Sequence, residues 1–143
     1  MKKLTVEASI HNLDEVLDFV NGELELHNCP QNLRNEINIA VEEIFMNIAR
    51  YAYEPEIGTA AILISVGEEI AIRFEDTGKH FNPLEQAAPD LDKPLMERQI
   101  GGLGVFMVRK LMDDVAYSYV DNKNILIIKK KMCNSHLSQT EPL

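Results

Sequence analysis

Glu43 and Asn47 stand four residues apart, so on a helix both side chains leave from the same side. A carboxylate and an amide placed this way suit a general base and an oxygen ligand for Mg²⁺, an ion that takes only one or two protein ligands where it bridges phosphates. A solvated helix flank would carry the same pair. Asp76 shares the parity of Ile70, Ile72 and Phe74, so in a strand it points to the buried face. An inward charge needs donors. An adenine exocyclic amine with a water would supply them, and so would the backbone of the Thr77-Gly78 turn. Gly101-Gly102-Leu103-Gly104 leads into a helical pattern, where unpaired N–H groups and the helix dipole favour phosphate. A hinge or tight turn would use the same glycines. The string has no GK[ST] ending and no βαβ unit around it, so neither a Walker loop nor the dinucleotide-binding fold is supported.

Other chemistry is thinly represented. His11, His27, His80 and His136 are scattered and make no ligand set, no GxSxG string occurs, and Cys29 and Cys133 form no CxxC pair. Lys79 and Arg98 lie in or beside an irregular stretch, where a cation can meet a terminal phosphate or simply face water.

The elements that must hold these groups follow from periodicity. Alternation of Leu4, Val6, Ala8 and Ile10 with polar residues predicts a strand, with Asn12 as the cap of a helix over Leu13 to Leu26. Asn28-Cys29-Pro30 ends that helix and Asn32 offers the next cap. Leu33, Ile37, Val41, Ile44, Ile48 and Ala52 make one apolar stripe, which stops at Tyr53-Glu54-Pro55. Ile62 to Val66 and Ile70 to Phe74 read as a hairpin across Gly67-Glu68. Thr77 to Gly104 has little periodicity and contains Pro83, Pro89 and Pro94, the composition of a lid, expected over about 79–103. A helix over Val105 to Met112 precedes strands Val115 to Val120 and Ile125 to Lys130, joined by an Asp121-Asn122-Lys123-Asn124 turn. Residues 133–143 read as a flexible tail. The order predicts an α+β two-layer sandwich, helices on one face of a mixed, mainly antiparallel sheet, in one domain over 1–132.

Composition bounds the partners. The chain of 143 residues carries 14 Lys and Arg against 23 Asp and Glu, a net charge of −9 that disfavours nucleic acid and anionic lipid. Glu7, His11 and Asp14 interrupt any apolar region that would follow Lys2-Lys3 in a signal peptide, and no apolar run approaches a membrane span. A cytoplasmic protein is expected.

The order of these signals resembles the GHKL family of ATP-binding domains, the Bergerat fold shared by histidine kinases and gyrase B. Glu42-Glu43-Ile44-Phe45-Met46-Asn47 is similar to its N box, Asp76-Thr77-Gly78 to its first glycine box and Gly101-Gly102-Leu103-Gly104 to its second, over roughly residues 5 to 131. The string from Asp76 to Pro83 and the run from Gly104 to Asp113 most resemble the bacterial anti-sigma-factor serine kinases. No phosphoacceptor-histidine helix precedes the domain in this sequence, which speaks against a sensor kinase.

The resemblance implies ATP and Mg²⁺ as cofactors, Glu43 as general base and Asn47 as the metal ligand. It makes Asp76 the adenine anchor with Gly78 close to the base, and Gly101, Gly102, Leu103 and Gly104 the phosphate cradle. Phe81, Arg98 and Asn124 join the nucleotide-binding set. His80 stands where a second glycine is frequent, and Tyr51 where many members carry His. The implied function is phosphorylation of an anti-anti-sigma partner of the STAS type together with sequestration of a sigma factor, as a homodimer. An ATP-sensing interaction module without phosphoryl transfer is the alternative.

Overall fold

The computed structural model describes residues 1–54, 56–85 and 102–132. Among these the order is β1 (Lys2–Glu7), α1 (Leu13–Leu26), α2 (Gln31–Asn47), β2 (Thr59–Val66), β3 (Glu69–Asp76), α3 (Gly102–Leu111), β4 (Asp114–Val120) and β5 (Lys123–Lys131). The strands form one sheet in the order β1-β2-β3-β5-β4. Every pairing is antiparallel. The mixed sheet allowed by the sequence is thus antiparallel throughout, with the helices on one face as expected for an α+β sandwich. No helix among the described residues is long and apolar enough to cross a membrane.

Period-two patterning decides which strand residues meet the helices. On β2 and β3, Ala60, Ile62, Ile64, Ile70, Ile72 and Phe74 are all buried, and Asp76 continues their row at 8% exposure. The helices answer with Val16, Val20 and Leu24 from α1 and Leu33, Ile37, Val41 and Ile44 from α2. Phe45, outside the apolar stripe, is fully buried because α2 also meets the other helices. Such a ring typically costs about 3–5 kcal/mol to remove.

Several boundaries differ from the sequence reading, each for a local reason. The first strand stops at Glu7 because the Ser9 hydroxyl accepts from the His11 N–H and starts a 3₁₀ turn over Ile10–Asn12, which leaves Ile10 exposed. Asn12 does not cap α1 through its side chain; its amide donates to the Glu7 carbonyl at 3.0 Å. Asn32 is not a cap either, since α2 begins at Gln31 behind Pro30. The last five residues of the long stripe, Ile48–Ala52, wind as a π-helix. The β4–β5 turn is the pair Asp121-Asn122, whose φ angles of 53° and 62° suit residues that tolerate left-handed backbone, so Lys123 and Asn124 lie in the strand. The expected tail lies outside the described residues, as does the lid from 86 to 101.

Candidate functional site

A cavity of about 480 Å³ opens between α2, α3 and the sheet, a size usual for small-molecule sites. Asp76 and Asn47 both line it, the first from the end of β3 and the second from the last turn of α2. Ile44, Phe74, Val108 and Leu126 give it apolar walls.

Asp76 marks the closed end. Its Oδ1 accepts the Gly78 N–H at 2.9 Å and an Nδ2–H of Asn124 at 3.0 Å, and among the described residues Oδ2 accepts nothing. Burial pushes the Asp76 pKa up, and these two hydrogen bonds oppose the rise. Of the two sources of donors expected from the sequence, the turn is present and caps one oxygen.

Asn124 is a hub. Besides Asp76, its Nδ2 donates to the Lys79 carbonyl at 2.8 Å and approaches that of Gly78 at 3.4 Å, while its Oδ1 accepts the Phe81 N–H at 3.2 Å and the Tyr117 hydroxyl at 2.5 Å. An amide has two N–H groups and one carbonyl oxygen with two lone pairs, so this side chain is satisfied by protein alone. Burial and nearby negative charge raise the Tyr117 pKa, which keeps the hydroxyl a donor at neutral pH.

The loop after Asp76 is pinned from the helix side too. The Lys79 N–H donates to the Ala52 carbonyl at 2.8 Å, and a Cβ at Gly78 would overlap that carbonyl. The Tyr53 hydroxyl accepts the Thr77 N–H at 2.8 Å and donates to the Thr59 carbonyl at 2.6 Å, with its ring laid against Gly58. Arg109 of α3 donates to the Leu84 carbonyl at 2.8 Å. Tyr53, Tyr117 and Arg109 were not among the sequence candidates. Their hydrogen-bond partners lie 6 to 25 residues away in the chain, so no local spacing marks them.

The other predicted residues are placed as follows. Asn47 is half-buried, and its amide bonds to no other described residue. Glu43 does not line the cavity; its carboxylate packs on the first turn of α3, where a Cβ at Gly104 would overlap it. Gly102, Leu103 and Gly104 are that first turn, so α3 begins three residues earlier than expected. Phe81 lines the cavity mouth and is exposed. His80 lies there too, stacked on Tyr119 with ring centroids 3.9 Å apart, and Tyr51 is on the wall. Arg98 and Gly101 lie outside the described residues.

No group of three or more His, Cys, Asp or Glu able to hold a metal occurs among the described residues. One amide oxygen in a cavity suits an ion that draws its other ligands from water and phosphate, so Asn47 fits Mg²⁺ of that kind and no all-protein cage.

Helices on one face of an antiparallel sheet, with a strand carboxylate and a helix amide on one cavity, define a two-layer domain of the GHKL class. The family model described as the histidine kinase-like ATPase domain matches residues 6–130, and the chain belongs to that family. Within it the chain resembles proteins named as serine-protein kinases. It is 29% identical over 99 residues to proteins named serine-protein kinase RsbW from Bacillus cereus (strain AH187) and Bacillus thuringiensis (strain Al Hakam). Each match covers 66% of this chain and 62% of the relative's length. The crystal structure of the RsbU and RsbW domains of Rv1364c from Mycobacterium tuberculosis superposes with a TM-score of 0.61 over 92% of this chain and 32% of that one. At 12% identity that likeness concerns the fold.

Proposed function

We propose that the chain binds ATP in this cavity and transfers its γ-phosphoryl group to a serine or threonine of an anti-anti-sigma protein of the STAS type, and that it also sequesters a sigma factor. The supporting observation is the buried Asp76 carboxylate, tied down through Oδ1 and lining one cavity with Asn47.

In this reading Asp76 Oδ2 accepts a hydrogen bond from the adenine amine at the closed end. The apolar walls exclude water from the base, and Asn47 holds Mg²⁺, which when bound offsets negative charge on the phosphate oxygens. Glu43, on the same side of α2 and against the glycine turn of α3, takes the proton of the attacking hydroxyl. That turn presents backbone N–H groups toward phosphate. The protein acts in the cytoplasm, as a homodimer.

Mixing the purified chain with radiolabelled ATP, Mg²⁺ and a STAS partner encoded nearby should label the partner, and Glu43→Ala should abolish labelling while ATP still binds. Binding without any transfer would instead favour the sensing module. The packing of Glu43 on Gly104, away from the cavity wall, is the feature that favours that second reading.

A further inference from the structure

Resting on the nucleotide reading above, we propose that Asn124 is a positioning residue that sets base specificity: by engaging Oδ1 of Asp76 it leaves Oδ2 as a fixed acceptor, which selects a base offering an amine over one offering a carbonyl. The register of the sheet sets up this pair, because Asp76 and Asn124 stand directly opposite each other on β3 and β5 with side chains on the same, helix-facing side. Both are buried, at 8% exposure each.

Asn124 itself has no donor or acceptor to spare. Its N–H groups go to Asp76 and the Lys79 carbonyl, and its oxygen takes the Phe81 N–H and the Tyr117 hydroxyl. It therefore acts on a ligand through Asp76 and not by touching the base. Two donors on Oδ1 restrain rotation of the carboxylate and favour its ionised form. An ionised carboxylate only accepts, and so repels a carbonyl oxygen. Without Asn124 the carboxyl is freer to turn and takes up a proton more readily, and a protonated carboxyl can donate to that carbonyl. The opposing effects of burial and of the Asn124 bond on Asp76 agree with this.

Adenosine and inosine are the probes, since inosine carries a carbonyl in place of the 6-amine and a proton on the adjacent N1. Calorimetry should show wild type binding adenosine at least about tenfold more tightly than inosine. In Asn124→Ser and Asn124→Leu, checked for folding by circular dichroism, adenosine should weaken about tenfold and the adenosine-to-inosine ratio should fall toward one. A parallel loss for both nucleosides with the ratio kept is what a purely structural role produces, and it overturns the proposal. Tyr117→Phe, which removes one donor from the Asn124 oxygen, provides the test if neither variant folds: the ratio should narrow about threefold, and an unchanged ratio overturns the proposal. Wild type that binds ATP without preferring adenosine over inosine also overturns it while leaving the nucleotide reading intact. Wild type that binds neither ATP nor adenosine removes both.

Discussion

At the closed end of the cavity Asp76, Asn124, Tyr117 and the backbone of residues 78–81 are joined by hydrogen bonds of 2.5–3.4 Å. Beside the cavity, at the first turn of α3, the contact is steric, the Glu43 carboxylate lying where a side chain on Gly104 would be. Hydrogen bonds depend on direction as well as distance, whereas close packing restricts only how near two groups come. On the proposed reading, the closed end is where ligands are discriminated. The first turn of α3 only limits how near the Glu43 carboxylate can come.

The contrast is broken most directly at Asp76. Asp76→Asn should weaken ATP about ten- to a hundredfold, since a charge-assisted hydrogen bond is lost and an amine meets an amine. Stability should move the other way. Because burial raises the folded-state pKa of Asp76, its charged form costs stability at neutral pH, and that cost disappears as pH falls through the raised value. Urea denaturation should therefore find the variant at least as stable as wild type at neutral pH, with wild type gaining on it as the solution is acidified.

The glycines sharpen the comparison. A methyl at Gly78 meets the Ala52 backbone carbonyl, which cannot swing aside, so Gly78→Ala should cost about 3 kcal/mol or more and should not be relieved by Ala52→Gly. A methyl at Gly104 meets the end of a flexible side chain. Gly104→Ala should cost about 1–2 kcal/mol, and the double variant with Glu43→Ala should recover most of it, a coupling read from a double-mutant cycle by denaturation.

Tyr53→Phe keeps the ring on Gly58 but removes its hydrogen bonds to the exposed Thr77 N–H and Thr59 carbonyl. A loss of about 1 kcal/mol in thermal or urea unfolding should accompany a weaker grip on ATP. Smallest is His80→Ala. Losing the stack on Tyr119 should cost about 0.5–1 kcal/mol in the same assay and leave Mg²⁺ dependence unchanged.

Much of this frame is visible in the primary structure. Leu13–Leu26 is the first helix as its apolar spacing predicts, and the alternation through Ile70, Ile72 and Phe74 carries Asp76 inward. The failures cluster at element ends. Asn12 and Asn32 are good caps by composition, yet a nearby carbonyl claims the first and Pro30 starts the helix ahead of the second. Glycine next to a helical pattern did not show where α3 begins: the helix already runs through Gly102 and Gly104, and at Gly104 glycine is required by the close approach of Glu43.

What the chain determines alone is each element's apolar face and the glycine or carboxylate at its end, since these follow from repeats of two and 3.6 residues and from local steric limits. What only the folded molecule decides is which distant groups meet. Asn124 reaches Asp76 across 48 positions, and Tyr53 reaches Thr77 across 24. Both contacts depend on the pairing of β3 with β5 and on the seating of α2 against the sheet, and strand register between segments far apart in sequence is set by the whole core.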